Sequence, residues 1–276
     1  MCFISVIIPT YNAGKTICKC LSTLLQQSFD DFEILIQDGG STDNTLELVS
    51  HFKDKRIKVL SADDKGVYDA MNKAVSRSKG KWLYFLGSDD SLFSNKIFDI
   101  ISASLRDSLS EVLYGDVKLL GNDGVIVGDS NGIYRGFTPA WELIFDNICH
   151  QAIFYKSNIF KEDRFRYELK YNVQADHVLN IKLASLYSFQ YVPVVIANFQ
   201  HGGMSTQLMD SYFSQDIGKI LLEYYGFKLS NKRFYKSKNY IKNEARKLLK
   251  TGRLSSGIKG YLIYLLLKTN YNLKVK

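Results

Sequence analysis

Three short polar clusters follow apolar runs in this sequence: Thr10-Tyr11-Asn12, Asp38-Gly39-Gly40-Ser41 and Ser88-Asp89-Asp90. The third carries the sharpest chemistry. Adjacent carboxylates repel unless a cation or hydrogen bonds separate them. Hard oxygen ligands of this kind suit Mg²⁺ or Mn²⁺ holding a diphosphate. The plain alternative is that Asp89 and Asp90 cap the next helix. On the pair alone that alternative is the better one; the presence of three such clusters reverses it. Tyr11 offers a stacking face, and Asp38 an acceptor for a base or ribose. The glycines let a ligand approach the backbone.

The elements that would position these clusters alternate strand and helix. Residues 3–8 form a continuous apolar run, as a strand buried on both faces requires, and Pro9 ends it. A helix is expected over 15–27, with Ile17, Leu21, Leu24 and Leu25 on one stripe. Strands are expected over 32–36, 57–60 and 81–86, and helices over 45–52, 67–77 and 96–105. Asp43 or Thr42 is placed to cap the helix at 45. Such βα repetition predicts an α/β fold, a Rossmann-like, mostly parallel sheet flanked by helices. Ligands of such sheets bind beyond the carboxyl ends of the strands, so the three clusters would share one rim. After Glu111 the pattern changes. Residues 112–119 and 125–127, split by Gly121-Asn122-Asp123-Gly124, read as a hairpin. A short strand over 151–155, a helix over 175–186 and a strand over 189–195 follow, and the chain reads as helical from Met209 onward.

Taken in order, Ser5-Val6-Ile7-Ile8-Pro9-Thr10-Tyr11-Asn12, Gln37-Asp38-Gly39-Gly40-Ser41-Thr42-Asp43 and Gly87-Ser88-Asp89-Asp90 resemble the successive signatures of family 2 glycosyltransferases. The stretch Asp64-Lys65-Gly66-Val67-Tyr68-Asp69-Ala70-Met71-Asn72-Lys73 resembles the branch that assembles bacterial surface polysaccharides. Further matches are Cys149-His150-Gln151-Ala152-Ile153-Phe154, Ala175-Asp176-His177 and Phe199-Gln200-His201-Gly202-Gly203-Met204-Ser205. The resemblance covers about residues 3–205. It implies the GT-A fold, a UDP-sugar donor, a divalent metal (Mn²⁺ or Mg²⁺) and inversion at the anomeric carbon.

Carried over by position, the resemblance puts Pro9, Thr10, Tyr11 and Asn12 along the uridine site. Asp38 matches the first acid of the family's usual Asp-Asp-Gly-Ser loop. The second acid, which commonly meets the uracil, is Gly39 here. Beside Ser88, Asp89 would contact ribose or metal, and Asp90 would be the metal ligand. His150 and Gln151 fall where donor or acceptor contacts are expected. Lys65 is placed to pair with phosphate or to remain a solvated lysine. His201, in a Gly-rich turn, is either part of a closing lid or a simple turn residue. His177 is expected to point away from the site.

Asp176 matches the family's general base. Transfer requires one, because an acceptor hydroxyl must lose its proton as it attacks the sugar carbon. A metal offsets the charge on the departing diphosphate, so no strong protein acid is needed there. The plain reading of Asp176 is an acid in the first turn of a helix, favoured by the helix dipole. Glu162 and Asp163 are rival bases but lie in a charge-rich stretch that suits solvent.

The chain has 276 residues and a formal net charge of +8, unevenly placed. From Gly226 to the end there are 14 Lys+Arg and one acid, Glu244, a net of +13; the preceding residues carry −5. A nucleic-acid-coating protein is therefore not expected. The expected division is a catalytic domain over 1–225 and a basic helical extension over 226–276. Within the extension, Tyr240, Ile241, Ala245, Leu248 and Leu249 share one helical face among lysines. That face would either dock on an anionic membrane leaflet, near a lipid-linked saccharide acceptor, or pack on the catalytic domain. No apolar run approaches the length of a membrane span, and no leader is evident, so a cytoplasmic or membrane-peripheral enzyme is expected. The four cysteines show no zinc-knuckle spacing and read as reduced thiols. Two rival readings stay open. A sugar nucleotidyltransferase would need a Gly-rich basic loop after the first strand, which Thr10-Tyr11-Asn12-Ala13-Gly14-Lys15 matches poorly. A non-catalytic nucleotide-sugar-binding protein would not need Asp176.

Overall fold

The structure, a computed structural model, describes residues 2–121, 125–127, 131–200, 202 and 210–272. Its first half forms as the apolar runs dictate. Strands β1 (Ile4–Thr10), β2 (Phe32–Asp38) and β4 (Trp82–Phe85) are buried along their whole length. Strand β3 (Ile57–Ser61) is the exposed edge. The four are parallel, in the order β3-β2-β1-β4. The register pairs Thr10 with Asp38 and Asp38 with Ser61, so three strands end level on one rim.

Two flanking helices bury apolar stripes on this half-sheet. Helix α1 (Ile17–Leu25) buries Ile17, Cys20, Leu21 and Leu24. Between them lies α2 (Thr45–Ser50), whose first residue gives its N–H to Asp43 Oδ1 at 3.0 Å. The expected cap is thus supplied by Asp43. Helix α3 (Val67–Arg77) buries Tyr68, Ala70, Met71, Ala74 and Val75.

The second half continues the same sheet with mixed directions. Beyond β4 the order runs β8 (Ile153–Lys156), β6 (Val112–Leu120), β9 (Phe189–Gln200) and β5 (Ser91–Leu92). β8 is antiparallel to β4 and to β6, whereas β6 and β9 are parallel. Helix α4 (Ile97–Asp107) follows β5, and helix α5 (Ala175–Leu186) precedes β9.

The expected hairpin is reduced. Residues 125–127 contribute a single bridge, Leu120 to Ile126, and β6 instead pairs with β8, β9 and the short β7 (Ile133–Tyr134). The reason is burial. Val112–Val117 is buried on both faces, which calls for a central position rather than a two-stranded ribbon. Gly115 sits where β6 and β9 change register; a Cβ there would stand 2.5 Å from Val194 O.

Helices α6 (Ser211–Tyr224), α7 (Lys238–Lys250) and α8 (Leu254–Asn272) complete the chain. Their contacts use small residues. A Cβ on Gly218 would lie 2.6 Å from Tyr240 O, and one on Gly260 would lie 3.0 Å from Ala245 Cβ. The basic extension begins as a 3-10 turn, Gly226–Ser230, that buries Leu229. Tyr225 and Lys228 donate to Ile181 O and Ser185 O of α5, each at 3.1 Å. Ile241 and Ala245, the centre of the amphipathic face read from sequence, are buried in this packing. Apolar residues of α8 are turned outward instead. Among the described residues no helix is long and apolar enough to cross a membrane.

Candidate active site

The rim is built from the loops that the strand ends project. Asn12 bridges the first two. It adopts a positive φ of 48°, which Asn tolerates better than most residues. Its N–H donates to Ser41 Oγ at 2.8 Å, and its Oδ1 accepts from Thr42 N at 2.9 Å. Thr10 is buried, and its carbonyl accepts from Gly39 N at 2.9 Å. Pro9 is buried inside β1, whereas Tyr11 is 64% exposed and presents its ring at the rim. Asp38 is fully buried. Its Oδ2 accepts from Gly40 N, Ser41 N and Ser61 Oγ at 3.1, 3.0 and 2.6 Å, and its Oδ1 accepts from Ser41 Oγ. Burial raises its pKa, yet these donors hold it below the ordinary carboxylate value. Asp38 therefore shapes the loop with its own oxygens.

The paired acids after β4 differ sharply in surroundings. Asp89 is exposed and Asp90 is buried. Asp90 Oδ2 accepts from Gln151 Nε2 at 2.8 Å, and Oδ1 from Gln200 N at 2.9 Å. Burial, and then the charge of Asp89, push its pKa up to about 6 against those two hydrogen bonds. A Cβ added at Gly87 would lie 2.6 Å from Asp90 Oδ2 and 2.7 Å from Asp89 Oδ1. Two carboxylate oxygens thus converge over a residue without a side chain. A Mg²⁺-like cation takes one or two protein carboxylates and completes its shell with phosphate and water. The donor set fits that use. Among the described residues no cluster of three or more His, Cys, Asp or Glu offers a fuller protein cage.

A cavity of about 280 Å³ opens beside these acids, lined in part by Tyr68, Asn147, His150, Gln151, Asp176 and Phe199. Asp176, in the first turn of α5, is 8% exposed. Tyr68 Oη donates to its Oδ1 at 2.9 Å, and Asn147 Nδ2 to its Oδ2 at 2.8 Å. Asn147 is held in turn by Asn180, and Asn180 by Tyr155. His150 Nδ1 stands 3.6 Å from Asp176 Oδ2. Burial alone would raise the Asp176 pKa; His150, with His177 and the Tyr68 hydroxyl, brings it below the ordinary value. An oriented, ionised carboxylate on a cavity wall can accept a proton from a bound hydroxyl. Cys149 nearby is inert as a thiolate, because burial and the surrounding carboxylates push it up to about 12.

The structure brings Asp89, Asp90, His150, Gln151 and Asp176 to one end of the sheet. Gln151 is 4% exposed and bonded to Asp90, so it braces the acid. Lys65 is exposed, and Ser88 is half-buried. His177 Nε2 donates to Leu143 O at 2.7 Å and the ring stacks on Phe213, so that nitrogen is engaged away from Asp176. Glu162 and Asp163 are exposed, and Glu162 pairs with Arg164. His201 lies outside the described residues, as do Gly203, Met204 and Ser205. Sequence reading missed Asn147 and the Gln200 backbone. A lone Asn carries no signal, and a backbone N–H carries none at all. The Tyr68–Asn72 stretch gains a structural account. Tyr68 holds Asp176, and Asn72 exchanges two hydrogen bonds with the Tyr167 backbone, at 2.8 and 3.0 Å.

A parallel half-sheet extended by antiparallel strands, with paired acids at the junction and a further acid beside a cavity, is the build of a GT-A glycosyltransferase. The chain belongs to glycosyltransferase family 2. The sequence model described as "Glycosyl transferase family 2" matches residues 5–114. A "PGL/p-HBAD biosynthesis glycosyltransferase" of Mycobacterium tuberculosis is 37% identical over 217 residues, covering 76% of this chain and 81% of its own. The Escherichia coli "UDP-Glc:alpha-D-GlcNAc-diphosphoundecaprenol beta-1,3-glucosyltransferase WfgD" is 36% identical over 45% of this chain and 49% of its own. Among solved structures, S. aureus TarS 1-349 in complex with UDP-GlcNAc aligns over 98% of this chain and 90% of that one, with a TM-score of 0.63 and 17% identity. A longer TarS chain aligns with the same TM-score, and there the match spans 55% of its length.

Proposed function

We propose that this glycosyltransferase inverts the anomeric carbon as it moves a hexose or N-acetylhexosamine from a UDP-sugar to a hydroxyl of a growing, lipid-linked bacterial surface glycan. The observation that carries the reading is Asp176, an ionised carboxylate oriented by Tyr68 and Asn147 on the wall of the cavity that Gln151 joins to Asp90. Displacement by a hydroxyl from one side of the sugar, with the diphosphate leaving on the other, inverts the configuration and needs one base. Asp176 takes that proton. Asp89 and Asp90 would hold Mg²⁺ or Mn²⁺, which neutralises charge on the departing diphosphate. The donor reading is supported by a relative whose name carries UDP-Glc and by the TarS complex with UDP-GlcNAc. The acceptor reading is supported by the diphosphoundecaprenol in the same relative's name.

The test is a panel of UDP-sugars with Mn²⁺ and a polyprenyl-diphosphate-saccharide acceptor, with the product anomer read by NMR. An α-linked donor should give a β-linked product. Retention of configuration would exclude Asp176 as a simple base. Pyrophosphate release from a nucleoside triphosphate and sugar phosphate would favour a nucleotidyltransferase instead.

The lipid-linked acceptor makes contact with an anionic leaflet useful, and the C-terminal extension suits it. Leu254, Ile258, Leu262, Leu265 and Leu266 project from α8 with exposures of 61, 62, 46, 47 and 38%. Exposed Lys250, Arg253, Lys259 and Lys268 surround them. Apolar side chains beside clustered cations match an anionic bilayer surface, each base adding about 1 kcal/mol. Two copies of so cationic a face would repel each other. Flotation with vesicles containing phosphatidylglycerol should succeed, and should fail for Ile258→Asp/Leu262→Asp.

A further inference from the structure

The carboxylates at and after the end of β2 are engaged within the protein: Asp43 accepts from Gly14 N and Thr45 N. Both oxygens of Asp38 are engaged by Gly40, Ser41 and Ser61, and Gly39 has no side chain. The space above Gly39 is nevertheless not featureless. A Cβ added there would stand 2.5 Å from Asp64 Oδ2. Asp64 reaches in from the loop between β3 and α3. Its Oδ1 is fixed by the N–H of Gly66 at 2.8 Å. Its Oδ2 has no hydrogen-bond or ion-pair partner among the described residues, and the residue is only half-buried. The Gly39 backbone that lies beneath it is bonded to Thr10, the neighbour of the exposed Tyr11 ring. An aromatic face, a bare backbone and one aimed carboxylate oxygen are therefore contiguous at the strand-end rim.

We infer that Asp64 is the residue that selects the base of the nucleotide donor, by accepting a hydrogen bond from a ring N–H through Oδ2. This rests on the donor reading above. Uracil presents a protonated N3 between two carbonyls and can donate to a carboxylate. Cytosine presents an unprotonated N3 at the same place, whose lone pair faces the carboxylate and is repelled. A site built to pair with a donor rejects an analogue lacking it more strongly than an apolar pocket rejects a change of shape. Gly39 belongs to the same device. A side chain at 39 would take the position that Asp64 Oδ2 holds, so the acid has to arrive from the other loop.

The test measures UDP and CDP binding by calorimetry, with Mg²⁺ present, for the full chain and three variants. Asp64→Ala should weaken UDP about 10- to 100-fold, the range for a hydrogen bond to a charged group, and should strengthen CDP by relieving the repulsion at N3. Asp64→Asn keeps an acceptor and should lose less. Gly39→Asp in the Asp64→Ala background returns a carboxylate to the same space and should restore the preference for UDP. A UDP-to-CDP ratio unchanged in Asp64→Ala overturns the inference while leaving the donor reading intact. A double variant no better than Asp64→Ala overturns the placement above Gly39. Wild-type protein that binds neither nucleotide overturns the donor reading itself.

Discussion

At the rim, burial falls on charged groups; in the C-terminal hairpin it falls on glycines. Asp38, Asp90 and Asp176 are each less than a tenth exposed; Asp90 and Asp176 take their donors from distant parts of the chain, and Asp38 takes Ser61 together with its own loop. In the hairpin, Gly257 and Gly260 are buried against Leu249 and Ala245, while leucines of the same helix face outward. Desolvated carboxylates are costly and persist where their charge is used. Close helix contacts through glycine are cheap to form and intolerant of added atoms. At Asp90 the rim is thus held in a chemically useful state against its own stability, and the hairpin is held firmly while its outer face stays apolar.

The largest expected effect is at Asp176. Asp176→Asn keeps the shape and removes the base, so kcat should fall about 10²- to 10⁴-fold with UDP affinity retained. Near-normal turnover would break the assignment. Asp176 is ionised below the usual range, so its hydrogen-bonded anion stabilises the fold above the unfolded carboxylate pKa. That contribution is lost only as pH falls through the depressed folded value.

Asp90 should behave in the opposite sense. Its folded pKa, raised to about 6, lies above that of an ordinary aspartate, so the folded state holds the proton more tightly. Stability therefore falls as pH rises from about 4 to about 6, and stays lower above that. Asp90→Asn should abolish transfer. Without divalent metal at pH 7 it should also melt higher, a gain that vanishes near pH 4. A lower melting point at pH 7 would show that Asp90 is a structural acid like Asp38.

The hairpin's two faces should differ next. Leu267→Ala, on the buried side of α8, should cost about 2–5 kcal/mol. Leu262→Gln, on the exposed side, should stay within about 0.5 kcal/mol. Equal losses would mean that the outer face is covered in solution. At Tyr11 the effect should fall on binding alone. Removing one stacking ring by Tyr11→Ala should weaken UDP by about 1–3 kcal/mol and leave the melting point unchanged.

Much of the first half was legible from residue order. β1 and α3 follow from an apolar run and helical spacing, as α5 does in the second half, and the three polar clusters do follow their strands; β1, however, is not ended by Pro9 but pairs through it to Thr10, because its carbonyl side still fits the ladder with β2. The amphipathic face of α7 was legible too, but not its partner. Ile241 and Ala245 fit a bilayer or a helix equally well in one dimension, and only the approach of Gly218 and Gly260 decides for the helix. The hairpin expected after Glu111 is reduced to its tip, at residues 119–121 against 125–127, for a related reason. Strand pairing is a choice among distant partners, and β6 found β8 and β9.

The sequence by itself determined the βα alternation, the order of the signatures and the separation of charge between body and extension, because these depend on neighbours along the chain. The tertiary structure decided which carboxylates remain free. Asp38 and Asp64 look alike in sequence, as acids on successive loops beyond β2 and β3. Folding surrounds one with four donors and leaves the other an open oxygen above Gly39. Whether a charged group is available depends on what surrounds it in three dimensions, and no local pattern of residues encodes that.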